Sequence, residues 1–195
     1  MQNTKKYTVD IAGTPLVIET GLLARQAAGA VTVSYGDTTV FTAVTRTETP
    51  REGIDFFPLQ CEYREKFYAS GHFPGGFFKR EQRPTSKEIL TARMCDRPIR
   101  PLFPDGYYND VQINSTLIQS DGTREADFLA VNASSAALHI SDVPFMGPIG
   151  CVRLGRVNGQ WIINPTHEQK AQSDIDLLYA GLHGKFLMME GSACE

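Results

Sequence analysis

Between residues 125 and 140 the sequence spells a helix with an unusually small-residue surface: Ala126, Ala130, Ala133, Ala136 and Ala137 recur along it. Small side chains let a helix axis approach a sheet closely, so this segment is expected to be the central buried helix of the fold. Ser141-Asp142-Val143-Pro144 stops it. Whatever else the chain builds has to be laid around that helix.

The first 68 residues supply strands. Residues 7–11 alternate, Ala12-Gly13-Thr14-Pro15 turns, and residues 16–19 return as a hairpin partner. Residues 30–35 lead through Gly36-Asp37 into residues 38–46, a run rich in β-branched side chains. A loop over 47–55 and a strand over 56–68 follow. Residues 108–118 alternate again. Two hairpins complete the chain, one over 149–164 around Asn158-Gly159 and one pairing 176–181 with 185–189. Asn-Gly is the strongest short hairpin signal. Segregated strands around two helices predict a single α+β domain spanning residues 1–195, a mixed β-sheet with helices packed mainly on one face. No helix is anticipated to close over Leu187 and Met189, so a downstream segment or a neighbouring chain is expected to cover them.

Residues 69–84 hold Gly71, Pro74, Gly75, Gly76 and Pro84 and predict an exposed loop. Thr85-Ser86-Lys87-Glu88 is a capping box opening a helix that runs to about Arg100, with Pro98 and Pro101 at its end. Here the charge reverses. The chain carries 19 Lys+Arg and 22 Asp+Glu, a net of −3, yet residues 64–100 hold nine basic against four acidic residues. That window is +5 and the rest of the chain −8. A cationic patch on an acidic protein is a more specific signal than a basic pI. Within it Phe77 and Phe78 adjoin Lys79, Arg80 and Arg83. Rings that stack on bases beside cations that pair with phosphates are what a single strand of nucleic acid requires. The alternative is that one or both rings anchor the loop in the domain's own core.

Arg93, Arg97 and Arg100 follow at spacings of four and three, on one side of the helix, with Ile89, Leu90 and Met94 as an apolar stripe on another. One arginine near a helix C-terminus is explained by the dipole, and Asp96 can pair with a second. Three in a row point to an anion, which arginine recognises in bidentate fashion.

The cysteines (Cys61, Cys95, Cys151, Cys194) show no zinc spacing and read as isolated thiols. No apolar run approaches the ~20 residues of a membrane span, and the N-terminus has no apolar signal core. Asp174 and Asp176 suggest a magnesium pair, but lack an evident third ligand and fit a polar strand start better. No histidine has a nucleophile or ligand partner at a recognisable spacing. Gly75-Gly76-Phe77-Phe78-Lys79 lacks the spacing and hydroxyl of a Walker motif. No catalytic or metal-binding residue is therefore assigned.

The run Gly71-His72-Phe73-Pro74-Gly75-Gly76-Phe77-Phe78-Lys79-Arg80-Glu81-Gln82-Arg83-Pro84, continuing into Arg93-Met94-Cys95-Asp96-Arg97-Pro98-Ile99-Arg100-Pro101-Leu102-Phe103-Pro104, resembles polynucleotide phosphorylase. It matches the first of that family's two RNase PH-like halves, and Pro144-Phe145-Met146-Gly147-Pro148-Ile149-Gly150 and Asn164-Pro165-Thr166 extend the likeness over essentially the whole chain. The resemblance implies the RNase PH-like fold, that of ribosomal protein S5 domain 2. It also implies a cytoplasmic, ring-shaped homotrimer that degrades mRNA from its 3′ end with inorganic phosphate as co-substrate and Mg2+ assisting. By the same likeness Phe77, Phe78, Lys79, Arg80 and Arg83 would grip single-stranded RNA in a central pore. Arg93, Arg97 and Arg100 would contribute to a pocket completed by a second RNase PH-like half, and an RNA-degradation complex is an implied partner.

The likeness also marks departures. Where the family's catalytic half has a Ser-Ser-Ser run for phosphate, this chain reads Glu125-Ala126-Asp127, whose carboxylates repel that anion. Where that half reads Gly-Asp-x-Asp-Phe-Lys-Val-Ala-Gly, this chain has Ser173-Asp174-Ile175-Asp176-Leu177-Leu178-Tyr179-Ala180-Gly181, with Leu178 at the lysine position. The expectation is a non-catalytic half, inactive alone, whose second half and RNA-binding modules lie outside these residues. The alternative is a complete, non-enzymatic RNA-binding ring subunit of an exosome-like complex.

Overall fold

The computed structural model describes residues 4–77 and 83–193. Ten strands and three α-helices follow in the order β1 (Lys5–Ile11), β2 (Thr14–Thr20), β3 (Gly29–Tyr35), β4 (Thr38–Arg46), β5 (Leu59–Glu65), α1 (Ser86–Ile99), β6 (Val111–Gln119), α2 (Asp127–His139), β7 (Gly150–Val157), β8 (Gln160–Ile163), α3 (His167–Ala171), β9 (Ile175–Leu182) and β10 (Lys185–Ala193). The first six strands form one mixed sheet in the order β1-β2-β3-β4-β6-β5, in which only β5 and β6 run parallel. The terminal hairpins form a second, antiparallel sheet, β10-β9-β7-β8. The anticipated α+β class holds, with this second sheet as an added layer.

Alternation decides which face of the first sheet is covered. Along β3 and β4, Val31, Val33, Tyr35, Val40, Thr42 and Val44 are buried while their neighbours are partly open. The covering element is α2, which lies against β3 and β4 on one side and β7 on the other. Phe128, Leu129, Ala130, Val131, Ala133 and Ala137 are buried to within 2%. The small-residue expectation is met at Gly29, where an added Cβ would lie 2.1 Å from the Ala137 carbonyl oxygen. Polar groups in the contact are satisfied internally. Thr42, Ser115 and Ser134 share hydroxyl hydrogen bonds of 2.8 and 3.2 Å, and Ser134 donates to the Ala130 carbonyl at 2.7 Å. Asn132 ties α2 to β7 by donating to the Cys151 carbonyl and accepting the Cys151 N–H.

Three local expectations need correction. Of the stripe assigned to Ile89, Leu90 and Met94, only Met94 packs against the core; Ile89 and Leu90 are 49% and 48% exposed. Glu88, Thr91, Cys95, Pro98 and Ile99 face inward instead, and Pro98 sits inside the last turn rather than beyond it. The strand over 56–68 is confined to Leu59–Glu65. Phe57 leaves the ladder to pack on Phe103 at 4.4 Å, and Phe67–Ser70 forms a 3-10 turn closed by Gly71 with φ 72°. The short helix α3 was not anticipated, although Thr166 and Gln169 form a capping box of the same kind as Thr85 and Glu88. The Asn-Gly hairpin is as expected, with φ 51° at Asn158 and 76° at Gly159. Among the described residues no helix is long and apolar enough to cross a membrane.

Candidate functional site

The cationic segment is held at its two stems by one carboxylate. Glu88 accepts from the backbone N–H and hydroxyl of Thr85 at 2.7 and 2.9 Å, which completes the α1 cap. Its other oxygen accepts the N–H of Glu65, the last residue of β5, at 2.9 Å. Burial opposes ionisation of Glu88, but these hydrogen bonds outweigh it and hold its carboxyl below the usual range. Residue 65 and residue 85, the two ends of the intervening segment, are thereby fixed beside each other. Phe73 and Phe77 stand 93% and 83% exposed, and Arg83 is exposed. Phe78, Lys79 and Arg80 lie outside the described residues.

The arginine row divides by occupation. Arg100 donates to both oxygens of Asp96 and to the carbonyls of Phe57 and Leu59, and stacks 5.8 Å from the Phe57 ring. Its guanidinium is committed to closing the start of β5. Arg97 pairs with Glu190 of β10 at 2.9 Å, both partners about half exposed. Arg93 makes no hydrogen bond or ion pair among the described residues and borders a groove of about 550 Å³ between β5 and α1. Sequence spacing treats the three alike; the fold leaves Arg93 open, Arg97 exchangeable and Arg100 structural.

On the other side of α1 the acidic pair at the start of α2 does not stand bare. Lys87 reaches Glu65 at 2.9 Å and Glu125 at 3.0 Å, and Lys170 reaches Glu125 at 3.9 Å and Asp176 at 3.0 Å. Arg153, only 8% exposed, bridges Asp176 and Asp127. Desolvation works against charge at Glu125 and Asp176, yet Lys87 lowers the first and Lys170 with Arg153 the second, so both are held below the ordinary carboxylate range. Asp174 turns to Arg156 instead, at 2.7 Å. The expectation that Glu125 and Asp127 repel phosphate therefore has a sharper form: the place is filled by the protein's own alternating charges. Leu178 is buried among them in the sheet. Lys87, Arg153 and Lys170 were not singled out from sequence. No spacing marks them, because they meet only once β7, β9, α1 and α3 are assembled.

A divalent ion does not fit this arrangement. Each nearby carboxylate has a cation of the chain as partner, and the described residues hold no group of three or more His, Cys, Asp or Glu able to ligate one. The three described thiols are held in the protonated form. Burial pushes Cys95 up to about 12 and raises Cys61 and Cys151 well above their ordinary value.

Comparison with known proteins identifies the family. Residues 13–144 match the profile of the 3′ exoribonuclease family, domain 1, and residues 147–194 that of the same family's domain 2. A polyribonucleotide nucleotidyltransferase of Methylacidiphilum infernorum is 58% identical over 181 residues, 92% of this chain and 26% of the relative. The chain thus spans about a quarter of the length of such relatives. Among solved structures, rice (Oryza sativa) Rrp46 superposes with a TM-score of 0.69 at 13% identity, covering 100% of this chain and 83% of that one. An Archaeoglobus fulgidus exosome with RNA bound to the active site gives a TM-score of 0.67 at 17% identity, covering 100% and 78%. At such identities the structural likeness speaks for the fold alone. Profile, sequence and fold agree along the whole chain: it belongs to the 3′ exoribonuclease (RNase PH) family, in the portion corresponding to the first RNase PH-like half of polyribonucleotide nucleotidyltransferases.

Proposed function

We propose that this chain is the RNA-guiding, pore-forming half of a 3′-to-5′ phosphorolytic exoribonuclease, one that exchanges a 3′ nucleotide of mRNA for inorganic phosphate and releases a nucleoside diphosphate. The observation that carries the reading is the division of charge. A loop with exposed Phe77 and Arg83 and an open Arg93 lies on one side of α1, and a self-neutralised acidic cluster occupies the other. The first arrangement suits a phosphodiester chain with stacking bases. The second leaves nothing to bind phosphate or develop charge at a transition state. Chemistry, with its Mg2+, belongs to a second RNase PH-like half, towards which Arg93 and Arg97 would reach. The assembled enzyme would be a cytoplasmic homotrimer, its three loops collaring an unpaired strand and an RNA-degradation complex its wider setting.

Two measurements test this. The purified 195-residue chain should show no release of ADP from poly(A) with magnesium and phosphate, and measurable turnover would refute the non-catalytic assignment. In the assembled enzyme, Arg80→Ala with Arg83→Ala should flatten the salt dependence of single-stranded RNA binding by about one to two units of slope. An unchanged slope would remove the loop from the RNA path.

A further inference from the structure

We propose that Tyr68 and Phe73, at the start of the aromatic-basic segment, form a stacking subsite for the bases of single-stranded RNA, additional to the rings of Phe77 and Phe78. The inference rests on the RNA-guiding reading and deepens it: the strand is held by two tiers of rings rather than one.

Phe67, Tyr68, Phe73 and Phe77 are all exposed, at 40%, 62%, 93% and 83%. Single apolar residues scattered over a surface need no explanation, but a run of rings on one segment does. Phe73 is the most exposed large hydrophobic side chain among the described residues. Neither it nor Tyr68 anchors the segment in the core; that task falls to Ala69, which is buried.

The backbone beneath the two rings is fixed. Phe67–Ser70 is a 3-10 turn, and its Ala69 carbonyl accepts the N–H of Ser120, the residue after β6, at 2.8 Å. Gly71, with φ 72°, closes the turn by donating to the Tyr68 carbonyl, and the His72 N–H donates to the Phe67 carbonyl, both at 3.0 Å. The second of these bonds joins residues 67 and 72, so Tyr68 and Phe73, which follow them, leave the same closed turn. The Ser70 hydroxyl and His72 Nδ1 lie 3.0 Å apart, which holds the imidazole on that turn as well. A ring on an ordered base gives up little freedom when a ligand stacks on it.

Charge selects the ligand. From residue 66 to residue 80 the sequence has no carboxylate, and its charged side chains are Lys66, Lys79 and Arg80. Glu65, at the near end, is paired with Lys87 at 2.9 Å, and Asp121, next to Ser120, accepts from Thr38 and Thr123. Rings and cations without open carboxylates suit a phosphodiester chain whose bases stack, and offer a basic peptide no partner. Stacking is tolerant of base identity, so the subsite adds grip without sequence preference.

The test measures binding of fluorescein-labelled dodecaadenylate to the assembled enzyme by anisotropy over a salt series, without phosphate so that the strand is not consumed. An abasic strand of the same length carries the phosphates without the bases. Tyr68→Leu and Phe73→Leu keep apolar bulk and remove the ring, while Phe73→Tyr keeps one. Each leucine variant should weaken dodecaadenylate binding at least about fivefold with an unchanged salt slope. Phe73→Tyr should bind as the wild type does, and the abasic strand should not distinguish any of them. Unaltered affinity in both leucine variants overturns the subsite; if Arg80→Ala with Arg83→Ala still flattens the salt slope, the RNA-guiding reading survives that loss. If that slope is also unchanged, both fall. Equal weakening towards the abasic strand, or a changed oligomer mass in light scattering, overturns the subsite too and assigns the rings to folding or to contact between copies.

Discussion

Replacing Arg153 by methionine isolates the worth of the acidic cluster. Methionine keeps much of the aliphatic volume but removes both links to Asp127 and Asp176. Asp127 is 5% exposed and would keep only the short hydrogen bond it accepts from the Phe128 N–H, at 2.7 Å. Removing one partner of a buried pair costs about 3–5 kcal/mol, because the other charge stays buried without compensation. Asp176 adds little to that figure: its side chain is 26% exposed and it retains Lys170 at 3.0 Å. For a domain of this size 1 kcal/mol corresponds to about 2–4 °C, so Tm should fall by roughly 10 °C at pH 7. The pH dependence has a definite sign. Asp176 is lowered from an ordinary 3.8, so its contribution is present above that value and lost as pH falls through its folded pKa. The part of the gap between wild type and variant that Asp176 supplies, a minor share, should be full at pH 7 in urea denaturation and shrink below about pH 4. A destabilisation under about 1 kcal/mol at neutral pH, or a gap that widens in acid, would refute the view that this cluster is a paired, structural substitute for a phosphate site.

Two other substitutions have direct readouts. Gly29→Ala puts a methyl group 2.1 Å from the Ala137 carbonyl oxygen, so α2 must move off β3; calorimetry should show a loss of about 1–3 kcal/mol, and a neutral result would mean that the helix yields freely. Arg100→Ala should lower Tm, since the Phe57 and Leu59 carbonyls and Asp96 lose their donor at a cost of about 1–2 kcal/mol. Arg93→Ala should leave Tm unchanged, and equal effects would contradict the division of the arginine row.

The elements that were legible in the sequence are those whose signals are local. β-branched alternation over residues 38–46, the Asn158-Gly159 turn and the Thr85–Glu88 capping box each carry their own cause, and each lies where it was expected. The alanine-rich helix was legible because side-chain size alone dictates how near a sheet it can lie. The face of α1 was not. Ile89 and Leu90 are the obvious core residues by hydropathy, but Glu88 outbids that preference because it satisfies three donors from two different segments. Likewise, the carboxylates of Glu125 and Asp127 could be read as hostile to phosphate, while the cations that neutralise them come from three distant elements and leave no spacing to read.

The parallel pairing of β5 with β6 has a consequence for how this chain can vary. Two parallel neighbours cannot be joined by a tight turn, so residues 66–110 must carry the chain back across the length of the sheet. The aromatic-basic loop and the arginine helix are that return path. Its ends are fixed by strands and by Glu88, while the entropy of closing it grows only logarithmically, about 0.6 kcal/mol for each doubling of length. Insertions or deletions between residues 71 and 84 can therefore change how far the loop reaches while the sheet beneath stays in register, so reach and fold are separable properties of this half.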